Sequence, residues 1–419
     1  MRRLASAIAS LLGQRRVEAS ATDDIPVHLA GQDYEGRRTD RWVRQAGIDQ
    51  VLIWVVVGLL CFSLVMVYSA SIVLADSPRS GALSSLHYVV RHGVSILVGI
   101  LAAYMVFMMP MSFWEKHSWW PFIIALALLM LVLVVGRNVN GATRWIPLGF
   151  INFQPSEFAK IAMVAYASGY MVRKMDVKEK FGKAILPMIL AVLPIGILLM
   201  REPDMGALIV IAVIAIGILF LGGVNLKVIA AIGLALVAAA GVGIMLTPWR
   251  FERALAFLEP FDPRYALGKG YQLTHSLIAI SRGELHGVGL GASIEKLHWL
   301  PEGHTDFLLA VIGEEFGLVG VGVLIFTFFW LTRRIMQIGR QAVQLDQLFA
   351  GLAAQGLGLW IGFQALINFG VCLGALPTKG LTLPFMSYGG SAIVMNMVAL
   401  AIVLRVDHEN RQLMHGGRV

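Results

Sequence analysis

Asp306 is the residue of this chain with the clearest potential for chemistry, because it lies where a polar stretch turns into an apolar helix. The surrounding sequence reads WLPEGHTDFLLAVIGEEFG over residues 299–317. A carboxylate at a lipid boundary is expensive to desolvate, so by default it marks a functional site with a partner or a wet cavity. The alternative is an N-cap of the following helix, a role that Asp306 or Thr305 could fill.

A second polar motif, QPSEFAK at residues 154–160, is predicted to lie at the same membrane level as Asp306. Pro155 starts a helix, so Glu157 and Lys160 fall three residues apart on one face. They form either an intrahelical ion pair that supports a short helix or a charged cavity lining. In the second case, Lys160 or the preceding Arg144 would face an anion.

A third motif, GALPTKGLTLPFMSYGGSA at residues 374–392, predicts irregular backbone at membrane depth. Such backbone is tolerated only when it is buried in protein or lines a wet cavity. Its sole charge, Lys379, suits a phosphate or pyrophosphate, or alternatively snorkels to lipid headgroups. The REPDMG turn at 201–206 adds Arg201, Glu202 and Asp204, of which Arg201 is a further candidate cation, or it is only a plain tight turn. The residues expected to shape the irregular loop are Pro377, Gly380, Pro384, Ser387, Gly389 and Gly390.

The composition predicts that membrane helices position these residues. The chain has 419 residues, of which 57% are hydrophobic and 14% charged. Its apolar residues occur in blocks long enough to cross a bilayer, which takes about 20 residues. We therefore predict an all-α, polytopic integral membrane protein with ten transmembrane helices. The predicted spans are 49–73, 91–109, 119–136, 156–172, 184–200, 205–221, 226–246, 306–331, 347–373 and 388–404.

An even number of spans places both termini on one side, and the basic residues choose the cytoplasmic side. The clearest cytoplasmic anchor is RKMDVKEKFGK at 173–183. Residues 1–48 are predicted to be a basic, disordered cytoplasmic tail, residues 49–405 the membrane domain, and 406–419 a cytoplasmic C-terminal tail. The long loop between helices 7 and 8, about 247–305, then faces outward. The net charge of +8 is a topology signal and gives no reason to expect nucleic acid as a partner.

The helix that follows Asp306 is predicted to carry a face of small residues. At 100° per residue, Ala310, Gly313, Gly317 and Gly320 fall within about 40° of the direction of Asp306. Small residues spaced in this way let membrane helices approach closely. We therefore expect another membrane helix to pack against this face.

These motifs resemble the SEDS family of cell-wall proteins. The likeness rests on QPSEFAK, EPDMG, GYQLTHSLIAISRGE, LPEGHTDF and the segment 368–392, and it extends over about 49–408. The resemblance implies a peptidoglycan glycosyltransferase of the inner membrane that polymerises lipid II. It implies a class B penicillin-binding protein and other division proteins as partners. The chain is closer to the division branch, at the septum, than to the elongation branch, which stays an alternative.

The resemblance also makes Asp306 the catalytic carboxylate. Two mild departures, Gly303 and Glu202, stand where Ala and Gln are common and remove no catalytic charge. Asp306 fits a general base on an acceptor sugar hydroxyl. The pyrophosphate leaving group needs cations, for which the candidates are Lys379, Lys160, Arg144 and Arg201, or a divalent metal such as Mg or Mn.

Glu157 could contact the substrate or help to hold that metal, although no ligand spacing identifies a metal site. Two other functions remain open at this point: a flippase that moves lipid II across the membrane, and a scaffold without catalysis. The clustering of polar groups at the outer rim favours the polymerase over the flippase.

Overall fold

The computed structural model describes residues 47–75, 86–139, 142–147, 152–177 and 181–417. All of these residues belong to one compact unit. The predicted disordered tail at 1–48 lies almost entirely outside the described residues.

Helices make up most of the described chain and begin and end as follows. They are α1 Gln50–Ala75, α2 His87–Phe107, α3 Met111–Lys116, α4 Trp120–Val135, α5 Pro155–Lys174, α6 Leu186–Arg201, α7 Met205–Leu221, α8 Leu226–Met245, α9 Pro248–Leu258, α10 Pro263–Ala266, α11 Tyr271–Arg282, α12 Leu308–Gln344, α13 Leu348–Cys372 and α14 Gly390–Met414. A 3-10 turn at Met175–Val177 and a π-helical turn at Phe181–Ile185 join α5 to α6.

Each of the ten predicted membrane segments coincides with one of these helices. Among the described residues, six helices are long and apolar enough to cross a membrane, and three shorter apolar helices accompany them. The remaining predicted segment, 156–172, corresponds to α5, which contains Glu157 and Lys160 near its start. The prediction of an α-helical, multi-pass membrane protein is therefore confirmed.

Two helices extend past their predicted ends. The helix α12 continues to Gln344, and α14 continues to Met414 through the segment predicted as a C-terminal tail. In both extensions the residues that face the bundle are buried, including Ile335 and Ile338 of α12 and Asn410 of α14. Tertiary packing of an amphipathic face stabilises these turns beyond the apolar limit that the hydropathy pattern sets.

The core lies between α12 and α13, between α14 and α2, and between α5 and its neighbours α4 and α7. Small residues permit the closest contacts. A Cβ on Gly339 of α12 would lie 2.8 Å from the carbonyl oxygen of Gly351 in α13. Among the described residues, the largest fully buried side chain is Trp360 of α13.

A three-stranded antiparallel sheet stands between α4 and α5. Its strands are β1 Arg137–Val139, β2 Ala142–Pro147 and β3 Asn152–Phe153, in the order β1-β2-β3. Pairing of Ile146 with Phe153 brings the chain back toward the start of α5. The sheet therefore positions Arg144 of β2 beside the motif that contains Glu157.

The long loop between α8 and α12, called the outer loop after the side on which the sequence predicts it to lie, is ordered into helices α9, α10 and α11. The predicted amphipathic stretch of this loop is α11, Tyr271–Arg282, with Leu273 and Ala279 buried. The loop after α11 packs directly against α12.

The helix α12 is broken at Gly317, whose φ of 65° and ψ of −164° are not helical. Segment 284–289 of the outer loop fills the break by donating to the last carbonyls of the first half and accepting from the first amides of the second. The bonds run from Val288 N to Glu314 O (3.0 Å), Gly289 N to Glu315 O (3.1 Å), Leu318 N to Glu284 O (2.9 Å) and Val319 N to Leu285 O (3.1 Å).

The structure corrects the prediction for the small-residue face. Gly313 lies against Ile280 of α11, and a Cβ on Gly317 would lie 2.4 Å from the amide nitrogen of Gly287. The glycines thus admit the backbone of the outer loop, and no second membrane helix occupies their face at these two positions. The helical period that placed these residues on one face is interrupted at Gly317, and the segment that covers Gly313 and Gly317 belongs to the loop that precedes α12.

Candidate active site

A cavity of about 760 Å³ opens next to Asp306. Its lining comes from segments far apart in the sequence: α2, the sheet, the starts of α5 and α7, the outer loop, and the irregular segment between α13 and α14. Of the residues that the sequence nominated, Asp306, Lys379, Glu157 and Arg144 line this cavity. Three motifs that lie far apart in the sequence therefore meet at one site.

Asp306 stands two residues before the first residue of α12. No side chain caps this helix, so Asp306 is not used as its N-cap. Its backbone oxygen accepts a hydrogen bond from Asn368 Nδ2 of α13 at 2.8 Å, and the same Nδ2 donates to Leu381 O at 2.7 Å. Asn368 therefore holds the start of α12 and the irregular segment in a fixed relation.

The carboxylate of Asp306 makes no hydrogen bond or ion pair within the part of the chain that the structure describes. Burial raises the pKa of Asp306 to about 7, the Glu302 carboxylate raises it further, and Arg144 opposes the shift. With this pKa, the protonated and the deprotonated forms of Asp306 are both populated near neutral pH. It is therefore suited to accept and release a proton.

The irregular segment 373–389 supports Asp306 directly. A Cβ on Gly380 would lie 3.0 Å from Asp306 Oδ2, so glycine leaves room for the carboxylate. Ser387 closes a tight turn, with its Oγ accepting from Leu383 N at 2.9 Å and its amide donating to Leu383 O at 3.0 Å. The prediction that this backbone lines a cavity agrees with the positions of Gly380, Gly389 and Gly390 in the lining.

Lys160 is fully buried and does not reach the cavity surface. Its Nζ lies 2.8 Å from Glu157 Oε1 and 2.8 Å from Gln364 Oε1, and it stands 5.0 Å from the ring centroid of Trp360. Gln364 in turn donates to Thr382 O at 2.8 Å. The two alternatives from the sequence are thus combined: the ion pair forms, and its acidic member, Glu157, lines the cavity.

Arg144 reaches the turn between α6 and α7. Its Nε donates to Glu202 O at 3.2 Å, and its Nη2 donates to Pro203 O. By contrast, Arg201 is exposed and does not belong to the cavity lining. Arg201 is the last residue of α6, and the turn meets β2 through the backbone oxygens of Glu202 and Pro203, which accept from Arg144.

Of the two acids in this turn, Asp204 enters the site and Glu202 does not. Asp204 lines the cavity, accepts from Ser156 Oγ at 2.9 Å, and caps α7 by accepting from Ala207 N at 3.2 Å. Glu202 is buried with both carboxylate oxygens lacking a partner among the described atoms. Burial raises the pKa of Glu202 to about 8, and the nearby Asp204 adds to the shift.

Several cavity residues were not found by sequence reasoning. Arg253 of α9 lines the cavity, as do Tyr88 of α2 and Tyr388 of the irregular segment. Tyr88 and Tyr388 both make ring contacts with His304, at centroid distances of 5.3 and 5.5 Å. The position of Tyr388 in the irregular motif could have nominated it. No local pattern singles out Tyr88 or Arg253.

Buried charges anchor the first half of α12, which starts next to Asp306, to the outer loop. Lys296 Nζ lies 2.8 Å from Glu315 Oε1, and Ser69 of α1 donates to the same oxygen at 2.6 Å. The neighbouring Glu314 accepts from Ser293 Oγ at 2.5 Å and from Ile294 N at 2.9 Å. Removing one member of such a network leaves a buried charge uncompensated, so these contacts fix the half-helix firmly.

The suggested divalent metal is not supported by a ligand set. Among the described residues, no three His, Cys, Asp or Glu side chains converge in a way that could hold a metal ion. Asp306, Asp204 and Glu157 line one cavity without forming such a cluster. We therefore derive no catalytic step through a metal.

Comparison with known proteins identifies the group to which this architecture belongs. The family model FtsW/RodA/SpoVE, described as cell cycle protein, matches residues 50–412. A relative from Burkholderia thailandensis, named probable peptidoglycan glycosyltransferase FtsW, is 54% identical over 90% of this chain and 82% of its own length. A relative of the same name from Thiomonas intermedia is 52% identical over 97% of this chain and 98% of its own.

Solved structures give the same result at lower identity. A chain of a peptidoglycan synthase complex, reported for its coordination of polymerization and crosslinking, matches with a TM-score of 0.69 and 26% identity. The rod shape determining protein RodA of Thermus thermophilus matches with a TM-score of 0.62 and 26% identity. Each match covers 87% of this chain and 98% of the other. The family that the motifs predicted is confirmed, and the chain belongs to the FtsW/RodA/SpoVE family of cell cycle proteins.

Proposed function

We propose that this protein is a peptidoglycan glycosyltransferase that polymerises lipid II at the outer face of the cytoplasmic membrane. The observation that carries the proposal is the Asp306 carboxylate, unpaired among the described residues and with a pKa raised to about 7, in a cavity with Arg144 and Lys379. The names of the relatives, which are half identical to this chain, support the same activity.

In the proposed reaction, Asp306 accepts the proton of an acceptor sugar hydroxyl as that oxygen attacks the anomeric carbon of the donor. The new glycosidic bond forms while the bond between the anomeric carbon and the pyrophosphate oxygen breaks. The electron pair leaves with undecaprenyl pyrophosphate, which carries the negative charge. Arg144 and Lys379 stabilise this charge because they are placed in the cavity before the reaction begins.

The membrane places constraints on the substrate that fit this site. Lipid II has a polar headgroup on a polyprenyl tail, so its reacting centre stays near the membrane surface while its tail stays in lipid. Asp306 lies at one end of the apolar helix α12, and the helices around the cavity present many apolar side chains on their outer faces. A headgroup can therefore reach Asp306 without extracting the tail from the bilayer.

The membrane topology, the partner proteins and the cellular role are further parts of the proposal. Ten spans with both termini in the cytoplasm would put the cavity and the loop 247–305 on the outer face. A class B penicillin-binding protein would crosslink the strands that this protein makes, and the similarity to a chain from a peptidoglycan synthase complex supports such an assembly. The names of the relatives favour a role in septal synthesis during division, with further division proteins present, over a role in elongation.

The test uses the purified protein with its penicillin-binding partner and lipid II in detergent. Formation of glycan polymer without any bilayer, and its loss in Asp306→Asn, is the expected result. A flippase would need a bilayer to act, so polymer in detergent excludes transport as the source of the signal. If a folded, partner-bound sample makes no polymer under varied detergent and cation conditions, the proposed function is wrong.

A further inference from the structure

Arg253 differs from the other basic side chains that the structure describes in the outer loop. Four of those side chains form ion pairs with carboxylates, whereas no carboxylate lies within ion-pair distance of Arg253 among the described residues. The four pairs are Arg264 with Asp262 (2.6 Å), Lys269 with Glu252, Arg282 with Glu314 (3.4 Å) and Lys296 with Glu315 (2.8 Å). Arg253 is therefore a cation whose counter-charge must come from elsewhere.

The position of Arg253 is nevertheless fixed. Its Nε donates to Thr378 Oγ1 at 2.9 Å, and Thr378 is buried and directly precedes Lys379. This bond uses one of the five N–H donors of the guanidinium. The two terminal nitrogens of the guanidinium have no hydrogen-bond partner in the described part of the chain. Arg253, Thr378 and Lys379 all line the cavity of Asp306.

A half-buried cation without a protein counter-charge loses hydration, and the single hydrogen bond from Arg253 to Thr378 offsets only part of that loss. Burial accordingly lowers the pKa of Arg253. An anion with several oxygen acceptors would restore these interactions, because the planar guanidinium binds phosphate through two parallel hydrogen bonds. The adjacent Lys379 would add a second positive charge to the same anion.

We infer that Arg253 and Lys379 form a pyrophosphate-binding subsite for a polyprenyl-linked substrate, in which Thr378 holds the Arg253 guanidinium in place. This inference rests on the proposed function for the identity of the lipid. It assigns part of substrate binding to helix α9 of the outer loop, while Asp306 stands at the start of α12. The outer loop then contributes a ligand contact as well as mechanical support for α12.

The first experiment measures binding with undecaprenyl pyrophosphate as the probe, by native mass spectrometry of the full-length protein with its partner. Arg253→Gln should weaken binding about 10- to 100-fold, as expected for the loss of a charge-assisted hydrogen-bond pair. Arg253→Lys should bind between the wild type and Arg253→Gln, because it keeps the charge and loses the fork. Thr378→Val, which retains Arg253, should weaken binding by a smaller factor.

The matched control is Arg264→Gln, because Arg264 lies in the same loop, is exposed and paired with Asp262, and does not line the cavity. It should bind the probe as the wild type does. Phosphatidylglycerol nanodiscs and inorganic pyrophosphate separate the sources of the phosphate group. The inference is overturned if Arg253→Gln binds phosphatidylglycerol or free pyrophosphate more weakly than the wild type does but binds undecaprenyl pyrophosphate normally.

The second experiment separates this inference from the proposed function. In polymerisation assays, Arg253→Gln should raise KM for lipid II by more than it lowers kcat, whereas Asp306→Asn should remove kcat. Wild-type binding and wild-type KM in a folded Arg253→Gln would overturn the subsite and leave the polymerase intact. Weakened probe binding in a protein that never polymerises would refute the function and leave the subsite standing.

Discussion

The charged side chains at the two ends of helix α12 differ in whether they have ion-pair partners. At the end far from Asp306, each buried carboxylate has an arginine: Asp49 with Arg334 (2.5 Å), Asp407 with Arg411 (2.8 Å) and Glu409 with Arg405 (2.7 Å). At the cavity end, Asp306 and Arg253 have no ion pair among the described residues. The distance from Leu308 to Arg334 along the helix is roughly 40 Å, so the charged groups at one end are far beyond ion-pair distance of those at the other.

The difference distinguishes a structural cluster from a binding site. Paired charges join the start of α1 to the ends of α12 and α14, and the amide of Asp49 also donates to Asp407 Oδ2 at 2.9 Å. Charges left without protein partners are costly, and they persist where a ligand or a proton supplies the missing interaction. Substitutions at the two ends should therefore affect different quantities.

The largest effect on activity is expected for Asp306→Asn. Loss of a general base should lower the polymerisation rate by about 10²- to 10⁴-fold, measured as glycan product from lipid II. The free energy of unfolding of Asp306→Asn should not fall below that of the wild type. The folded-state pKa of about 7 lies above the ordinary 3.8, so the stabilising effect of protonated Asp306 is lost as pH rises through 7. Asn avoids this loss, and a markedly lower melting temperature at pH 8 would contradict the assignment.

The opposite outcome is expected for Glu409→Gln at the paired end. Glu409 Oε1 accepts from Arg405 Nε and from the amide of Met111 at 2.9 Å. Substitution leaves the mostly buried Arg405 without its counter-charge and should lower the free energy of unfolding by about 2 kcal/mol. Thermal melts in detergent measure this loss, while the activity per folded molecule should stay within twofold. A selective loss of activity without destabilisation would break the distinction between the two ends.

The pH dependence of polymerisation should report the carboxylate at the cavity end. Below pH 7 the rate should rise about tenfold per pH unit, because the reaction needs the deprotonated form, and it should level off above the pKa. Glu302→Gln removes a neighbouring negative charge and should move the midpoint to lower pH. The control Glu409→Gln should leave the midpoint in place. If the midpoint does not change in Glu302→Gln, the Glu302 carboxylate does not influence the pKa of Asp306.

The smallest effect is expected for Gly380→Ala. The added methyl group would lie 3.0 Å from Asp306 Oδ2 and should displace the carboxylate by a few tenths of an ångström. We expect a drop in kcat of about 10-fold or less, because small misplacements of a catalytic group reduce the rate without abolishing it. Gly322→Ala on α12, where a Cβ meets nothing within 4 Å, is the matched control and should be neutral. Equal effects of the two changes would contradict a specific role of Gly380.

The sequence motifs predicted the region of the site, but some individual side chains lie elsewhere than predicted. Asp306, Glu157, Arg144 and Lys379 were nominated from their motifs and share one cavity. Arg201 was nominated from the same turn as Asp204, yet only Asp204 enters the cavity. Which side of a tight turn faces the protein depends on the neighbouring sheet, and the sequence of the turn does not encode that contact.

By itself, the sequence determined where the membrane helices lie and that Asp306 stands at the start of one of them. This information is local, because a helix that crosses lipid needs about 20 apolar residues and must satisfy its own backbone. Only the tertiary structure decided that the outer loop fills the break at Gly317, that Lys160 is buried, and that Arg253 joins the cavity. These features depend on contacts between segments far apart in the chain, which no local pattern specifies.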